Sequence, residues 1–399
     1  MTPAERNIAL YPWFKFFQNL PFWQAIWFLY FQAELSAADA ILLYAVYDIS
    51  TTVLEVPSGY LSDRLGRRFT LLASAFIGLL ACVLFVMGGN FWVFALGQAA
   101  LGAHIAFASG TDTSFLYESL AEEGRAGDVE AEELRAWRFN FAALAISAVT
   151  GGAMALLDIR LPFVVTALAY LALVAITLRL TEPTHAKPLA AALAGRKEVL
   201  RAALVKPELV WLFGISVLMY GFSHLPFIFG QPFILEALKG VGFNSEAPLV
   251  SGAVTSAMML LSIATSWIAP GLRRRIGLRG ILFLAFGIQI ALVAGLALTG
   301  SALAIGLLLF RMVPDSFSRP FIIARIQPEL SDEVRATYLS LKSLVGRVLF
   351  AVSLYLASVT ASEVGEMPYS DIQTILAAYA FVGVACLIGL FLYGRRLSI

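Results

Sequence analysis

Gly59-Tyr60-Leu61-Ser62-Asp63-Arg64-Leu65-Gly66-Arg67-Arg68 is a short, strongly charged turn between two long apolar runs. The runs cover roughly residues 38–62 and 69–88. Each is long enough to cross a bilayer core, which takes about 20 apolar helical residues. So short a connection places Asp63, Arg64, Arg67 and Arg68 at a membrane face. Positive charge in short loops marks that face as the cytoplasmic one.

The same alternation runs outward to both ends. Of 399 residues, 59% are hydrophobic and 14% charged, against about 25% charged in a soluble domain. With long apolar runs recurring throughout, this excludes a large soluble helical protein. Twelve spans are expected, at roughly 7–33, 38–62, 69–88, 91–120, 136–158, 161–181, 207–237, 247–272, 280–299, 302–328, 334–361 and 370–394. Backbone polar groups in a bilayer must be satisfied within the segment, so the spans read as helices.

Lys and Arg fall almost wholly into one set of alternating loops, which includes Arg64, Arg67, Arg68, Arg196, Arg274 and Arg395. The other set holds essentially Arg160 and Lys239. Both termini are therefore expected in the cytoplasm. The expected division is an N-terminal six-helix bundle over 1–181, a linker over 182–206 and a C-terminal bundle over 207–399. Within the linker, Leu189–Val205 reads as an amphipathic helix lying at the interface, or as a plain connection. The first apolar segment is too long for a cleavable leader and contains Pro12, Lys15 and Pro21, so it is expected to be retained. A bacterial inner membrane is the expected location.

Net charge is +1, which gives no argument for nucleic acid. Cys82 and Cys386 fall inside apolar spans, and no His or Cys spacing suggests a metal site. No nucleophile–base constellation suggests an enzyme. No cofactor is expected.

The halves repeat weakly. A shift of 211 residues lays Gly66 on Gly277, Arg64 on Arg275, Glu118 on Glu329 and Glu122 on Glu333. The spelling G-x-L-x-D-R-x-G-R-R resembles the signature loop between the second and third helices of the major facilitator superfamily. The resemblance covers nearly the whole chain. It implies an all-α membrane fold of two pseudo-symmetric six-helix bundles, a central substrate path lined by the first, fourth, seventh and tenth helices, and a charged turn that latches the cytoplasmic side. Gly59, Asp63, Arg64, Gly66, Arg67 and Arg68 match that turn. Gly59 and Gly66 are expected to admit close helix packing. Asp63, at an unfavourable helix C-terminus, needs a donor. Asp112 or Glu118 is expected to pair with Arg64 or Arg67.

Ionisable residues inside a span are costly and point to function. In the tenth span Arg311, Asp315 and Arg319 share one face at i, i+4 spacing. The eleventh adds Lys342 and Arg347, and the second holds Asp48 near its middle. Arg311 and Arg347 are expected to hold an anionic group, because guanidinium stays charged and matches carboxylate or phosphate. Asp315 stands between those cations. Asp48 or Asp315 is the expected proton carrier. The same charges also read as a structural ladder that binds nothing. Gln24, Trp27, Tyr220 and Gln231 are expected to complete the cavity, although aromatic residues such as Trp27 equally serve packing. His104 and His224 read as hydrogen-bonded structural histidines.

The fifth span has Gly151-Gly152 but lacks the proline of the motif common in proton-coupled drug exporters, and Ala95-Leu96-Gly97-Gln98 stands where many such exporters carry an arginine. The expected function is secondary active transport of a small organic solute, anionic or amphipathic, by alternating access with proton coupling, in a monomer. A polyspecific drug/proton antiporter and a lipid transporter remain as alternatives.

Overall fold

The computed structural model describes residues 1–183, 206–326, 332–361, 366–395 and 397. Among them there is no strand. The chain forms two compact units, the first built mainly on residues before the linker and the second mainly on those after it. Residues 184–205, which hold nearly all of the expected linker, lie outside the described residues.

In the first unit α1 (Pro3–Gln18) opens with a capping box between Thr2 and Glu5. Each side chain there takes an N–H that the helix leaves free. The expected first span is not one helix. It stops at Asn19, passes through a 3₁₀ turn at Phe22–Ala25 and resumes as α2 (Trp27–Glu34). Pro21 is the reason: it cannot donate, and it drives the residue before it away from helical angles. The freed Phe22 N–H is taken by Thr166 Oγ1 at 3.0 Å.

Next come α3 (Ala37–Leu65), α4 (Arg67–Met87) and α5 (Phe91–Ala108). The expected fourth span also breaks. Gly110 takes φ +73°, and α6 (Thr111–Glu122) follows it. Then α7 (Val129–Ala155) and α8 (Leu161–Arg179) complete the unit. Ile8, Phe14, Leu71, Phe115, Leu116 and Leu173 share one core that ties α1, α4, α6 and α8 together. A second aromatic core gathers Tyr30, Phe31, Phe85 and Phe94 around or beside Phe163.

The second unit contains α9 (Pro207–Lys239) and α10 (Ala247–Leu298). At 52 residues α10 would span about 78 Å if straight, far more than the ~30 Å of a hydrocarbon core. It bends at Gly277, the one residue inside it with non-helical angles (φ +75°, ψ 174°). The two spans expected here are therefore joined through a single-residue kink rather than a loop. Gly66, which the repeat aligns with Gly277, has φ +102° and ψ 155°. Both glycines thus occupy the same backbone region, one closed to other residues without strain.

A 3₁₀ segment, Ala302–Phe310, leads into α11 (Val313–Ile326), followed by α12 (Asp332–Val359) and α13 (Tyr369–Gly394). The tenth expected span is thus helical by two different geometries, with Arg311 at the change. Eight helices among the described residues are long and apolar enough to cross a membrane. The first, fifth and tenth expected spans do not meet that measure. The first and tenth are interrupted, and α7 opens on Glu130, Glu132, Glu133, Arg135 and Arg138.

Candidate substrate cavity and charged turn

In the second unit α9, α11 and α12 line a partly open cavity of about 340 Å³. α9 contributes Ser216, Tyr220 and Ser223; α11 contributes Asp315, Ser318 and Arg319; α12 contributes Lys342, Ser343 and Arg347. Pro226 and Pro232 interrupt the ladder of α9, and Pro320 that of α11. Asp315 pairs with Arg319 at 3.0 Å, as the i, i+4 spacing foretells. The Arg347 guanidinium stands 5.8 Å above the Tyr220 ring, and its Nε donates to Ser343 Oγ at 3.3 Å.

Three expected residues, Asp315, Arg347 and Tyr220, thus line one cavity. Arg311 lies beside it rather than in its wall. It stacks on Phe227 at 4.8 Å and donates from Nε to the Ser223 carbonyl at 3.4 Å. Gln231 is buried further along α9. Gln24 and Trp27 belong to the first unit, where Trp27 packs against Phe28, Phe31 and Tyr44. Asp48 is fully buried in α3. Ser216, Ser318 and Ser343, which sequence reasoning did not single out, share the cavity face of the charged residues. Their spacing from Tyr220, Asp315 and Arg347 (i±3 or i±4) was the available signal.

His104 and His224 are hydrogen-bonded within the bundles. His104 Nδ1 is 2.9 Å from the Ser74 carbonyl, and His224 Nδ1 is 2.7 Å from the Tyr220 carbonyl.

The charged turn is held by partners from the first unit. Arg67 forms an ion pair with Glu118 at 3.1 Å and donates to Ser62 Oγ at 2.8 Å. Both charged side chains of the pair are mostly buried. Glu182, just past α8, accepts the Arg67 and Arg68 backbone N–H groups at 2.5 and 2.8 Å. It thereby caps α4, where an anion is favoured by the free donors and the dipole. Arg68 reaches the Leu178 carbonyl at 3.1 Å, whereas among the described residues Arg64 reaches Tyr60, one turn back on its own helix. The side chain of Asp63 lies outside the described residues.

Two expectations need correction. Asp112 does not meet the turn; it pairs with Lys15 of α1 at 2.6 Å. The break at Gly110 restarts the helix, so Asp112 sits in its first turn and turns to α1. Among the described residues, close packing is not what Gly59 provides, since a Cβ there would meet none of them within 4 Å. Near the Lys15–Asp112 pair, Tyr11 donates to Glu133 of α7 at 3.3 Å. The acid Glu133 was missed because it stands in a charge-rich stretch that reads as solvated.

On the other set of loops, both basic residues are neutralised. Arg160 pairs with Glu34, and that hydrogen bond holds its guanidinium above the ordinary range. Lys239 pairs with Glu236 at 2.5 Å and with Glu366.

The sequence matches the Major Facilitator Superfamily over residues 13–354. No curated protein matches it. Among solved structures, the nucleoside transporter NupG is similar at TM-score 0.79 and 14% identity, covering 100% of each chain. The peptide transporter POT in complex with sulfate is similar at TM-score 0.72 and 13% identity, covering 98% of this chain and 95% of that one. At these identities the likeness is one of fold. The match of the family to well over half of the sequence, on a helical fold shared with solved transporters, establishes that this chain belongs to the major facilitator superfamily and is a membrane transporter.

Proposed function

We propose that the protein is a secondary active transporter of a small organic anion, working by alternating access with a proton as the coupling ion. The observation that carries the reading is the cavity of the second unit, where Arg319, Lys342 and Arg347 line one space with Asp315. Charges within a membrane bundle are retained for ligands, ions or partners, and an excess of cations selects an anion. Arg311 is the next cation along the path, and Gln24, Trp27 and Gln231 contribute from their own helices. Asp48 and Asp315 are the proposed proton carriers.

In this reading the chain crosses the membrane twelve times, with the bundles 1–181 and 207–399 joined by the linker 182–206. The three interrupted or charged segments are the spans beyond those of simple apolar length. Both termini face the cytoplasm of a bacterial inner membrane. The small number of Lys and Arg residues in the other set of loops, essentially Arg160 and Lys239, supports this orientation. The turn from Gly59 to Arg68, with Glu118, serves as the cytoplasmic gate, and the monomer is the working unit.

The test is charge movement and uptake in proteoliposomes. Pooled organic anions should drive a signal that pooled organic cations do not, and Arg347→Gln should abolish it. A response to cations alone, unchanged by the substitution, would make the charged ladder structural and bring the efflux reading forward.

A further inference from the structure

We propose that the end of the first unit where α4 begins and α8 stops is a binding site for an anionic phospholipid, whose phosphate is held by Arg6, Arg68 and Arg179. The proposal is independent of which solute is carried. Two observations carry it: a basic pocket, and the apolar faces that lead away from it.

The pocket is open, measures about 610 Å³ and is lined by Arg6, Arg68, Leu178, Arg179, Thr181 and Glu182 among others. Its three arginines come from three elements: the start of α1, the first turn of α4 and the last turn of α8. Among the described residues the first two guanidiniums bond uncharged groups. Arg6 Nη2 donates to Thr181 Oγ1 at 2.7 Å and Arg68 Nη2 to the Leu178 carbonyl at 3.1 Å. Each bond uses one of five donors, so both forks are oriented and keep donors for a ligand. Arg179 is exposed. Glu182, the one acid of the pocket, turns its oxygens to the first N–H groups of α4. Planar guanidinium forks held this way match the oxygens of a phosphate.

The helices do not account for this convergence. Arg6 and Arg68 stand at helix N-terminal ends, where the dipole disfavours a cation; only Arg179 stands where it is favoured. Membrane orientation asks for positive charge on one side, not for its collection around one pocket.

The apolar faces say what else the ligand carries. α4 and α8 are each long and apolar enough to cross a membrane, so the pocket lies at a membrane face. They share a core through Leu71, Ala75, Leu173 and Val174, and their other faces are exposed. Phe69, Phe76 and Val83 follow at intervals of seven on α4, and Leu178, Leu171 and Val164 do so on α8. A step of seven stays close to one side of a helix. Each line starts at the pocket and runs about 21 Å along its helix, longer than the ~15 Å of one leaflet. A free phosphate would meet only accessible charges, which salt screens. A lipid adds the burial of its chains along the helices, and basic pockets at the ends of membrane helices take phosphate headgroups in this way.

Native mass spectrometry of the purified full-length protein in detergent tests the site with phosphatidylglycerol, phosphatidylcholine and inorganic phosphate as probes. Phosphatidylglycerol should bind about tenfold more tightly than phosphatidylcholine with the same chains. Arg6→Gln/Arg179→Gln should remove most of that preference, and Arg6→Lys/Arg179→Lys should keep most of it. The tie between α1 and residue 181 survives these changes, because Asn7 bonds the Thr181 N–H and carbonyl at 2.9 and 2.8 Å. Arg274→Gln/Arg275→Gln removes the same charge from an exposed stretch of the second unit and should leave the preference unchanged. Equal binding of the two lipids by the parent protein would overturn the proposal without recourse to any variant. So would a preference that survives Arg6→Gln/Arg179→Gln, or one lost equally with Arg274→Gln/Arg275→Gln, which would assign it to diffuse positive charge. Displacement of phosphatidylglycerol by millimolar inorganic phosphate would mark a site for free phosphate and overturn the lipid assignment. None of these outcomes touches the anion-transport reading, which rests on the second unit.

Discussion

The carboxylate of Glu182 occupies the space beside Gly66 that a side chain there would fill: a Cβ on residue 66 would lie 2.7 Å from Glu182 Cδ and 2.8 Å from either oxygen. The missing side chain at Gly66 and the acid after α8 are one device. The glycine supplies the turn, with φ +102°, and leaves room for an acid to reach the first N–H groups of α4.

Gly66→Ala should therefore be costly in two ways. The backbone region costs about 1–3 kcal/mol for a residue with a Cβ, and the carboxylate must move. Glu182→Ala should cost about 1 kcal/mol, as for loss of a helix N-cap. Combined, the two changes should cost less than their sum, because Glu182→Ala removes the clash. Thermal unfolding in detergent of the two single variants and the double variant checks this. Strict additivity would mean that the residues act independently.

Lys15 and Asp112 form a largely buried ion pair in the first unit, with Asp112 only 7% exposed. Removing one partner strands the other, at about 3–5 kcal/mol, whereas replacing both with apolar residues of similar size is often neutral. Lys15→Met should unfold at a much lower temperature than the parent, and Lys15→Met/Asp112→Leu should recover most of the loss. If the double variant is as unstable as the single one, the pair is not the reason for the two charges.

The helical class, the alternation of loops and the charged turn were legible because each rests on local chemistry: apolar length, Lys and Arg bias, glycine and arginine spacing. The Asp315–Arg319 pair was legible for the same reason, being i, i+4 on one helix. What sequence reading missed depends on where helices stop. Pro21 was visible, yet nothing local shows that Thr166 takes the Phe22 N–H and allows the break. Asp112 was expected level with the turn because α5 and α6 read as one continuous helix. Gly110 restarts the helix and hands Asp112 to Lys15. Glu182 was invisible for a third reason, since an acid in a linker is ordinarily a solvated residue.

Arg64 and Arg67 differ by three positions and should differ sharply in effect. Arg67 is tied to Glu118 and Ser62, with its side chain 12% exposed, while Arg64 is exposed and bonds Tyr60 on its own helix. If the turn is the gate, Arg67→Ala should reduce transport several-fold or more and Arg64→Ala should leave it near the parent level. Exchange of partners, Arg67→Glu with Glu118→Arg, should restore part of the loss. Equal sensitivity of both arginines in the liposome assay would assign the effect to general positive charge rather than to the ion pair.

Gly151 gives the most direct steric test. The Gly151-Gly152 pair of α7 resembles part of an exporter motif, but its structural use is plain: a Cβ at residue 151 would lie 1.8 Å from the Phe22 carbonyl oxygen. The contact is with backbone in the 3₁₀ turn, which no side-chain rotation relieves. Close approach of backbones through small residues is how membrane helices pack. Gly151→Ala should therefore push the turn at Phe22–Ala25 away from α7 and weaken the Phe22–Thr166 bond. By contrast, Gly287→Ala in α10 meets nothing within 4 Å and should be neutral or slightly stabilising through the lower entropy of the unfolded chain. The two variants, compared by yield and thermal unfolding in the same detergent, separate the explanations. Loss confined to Gly151→Ala ties the glycine to the interruption of the first span. Tolerance of Gly151→Ala would mean that the turn is free to shift and that the break has another support.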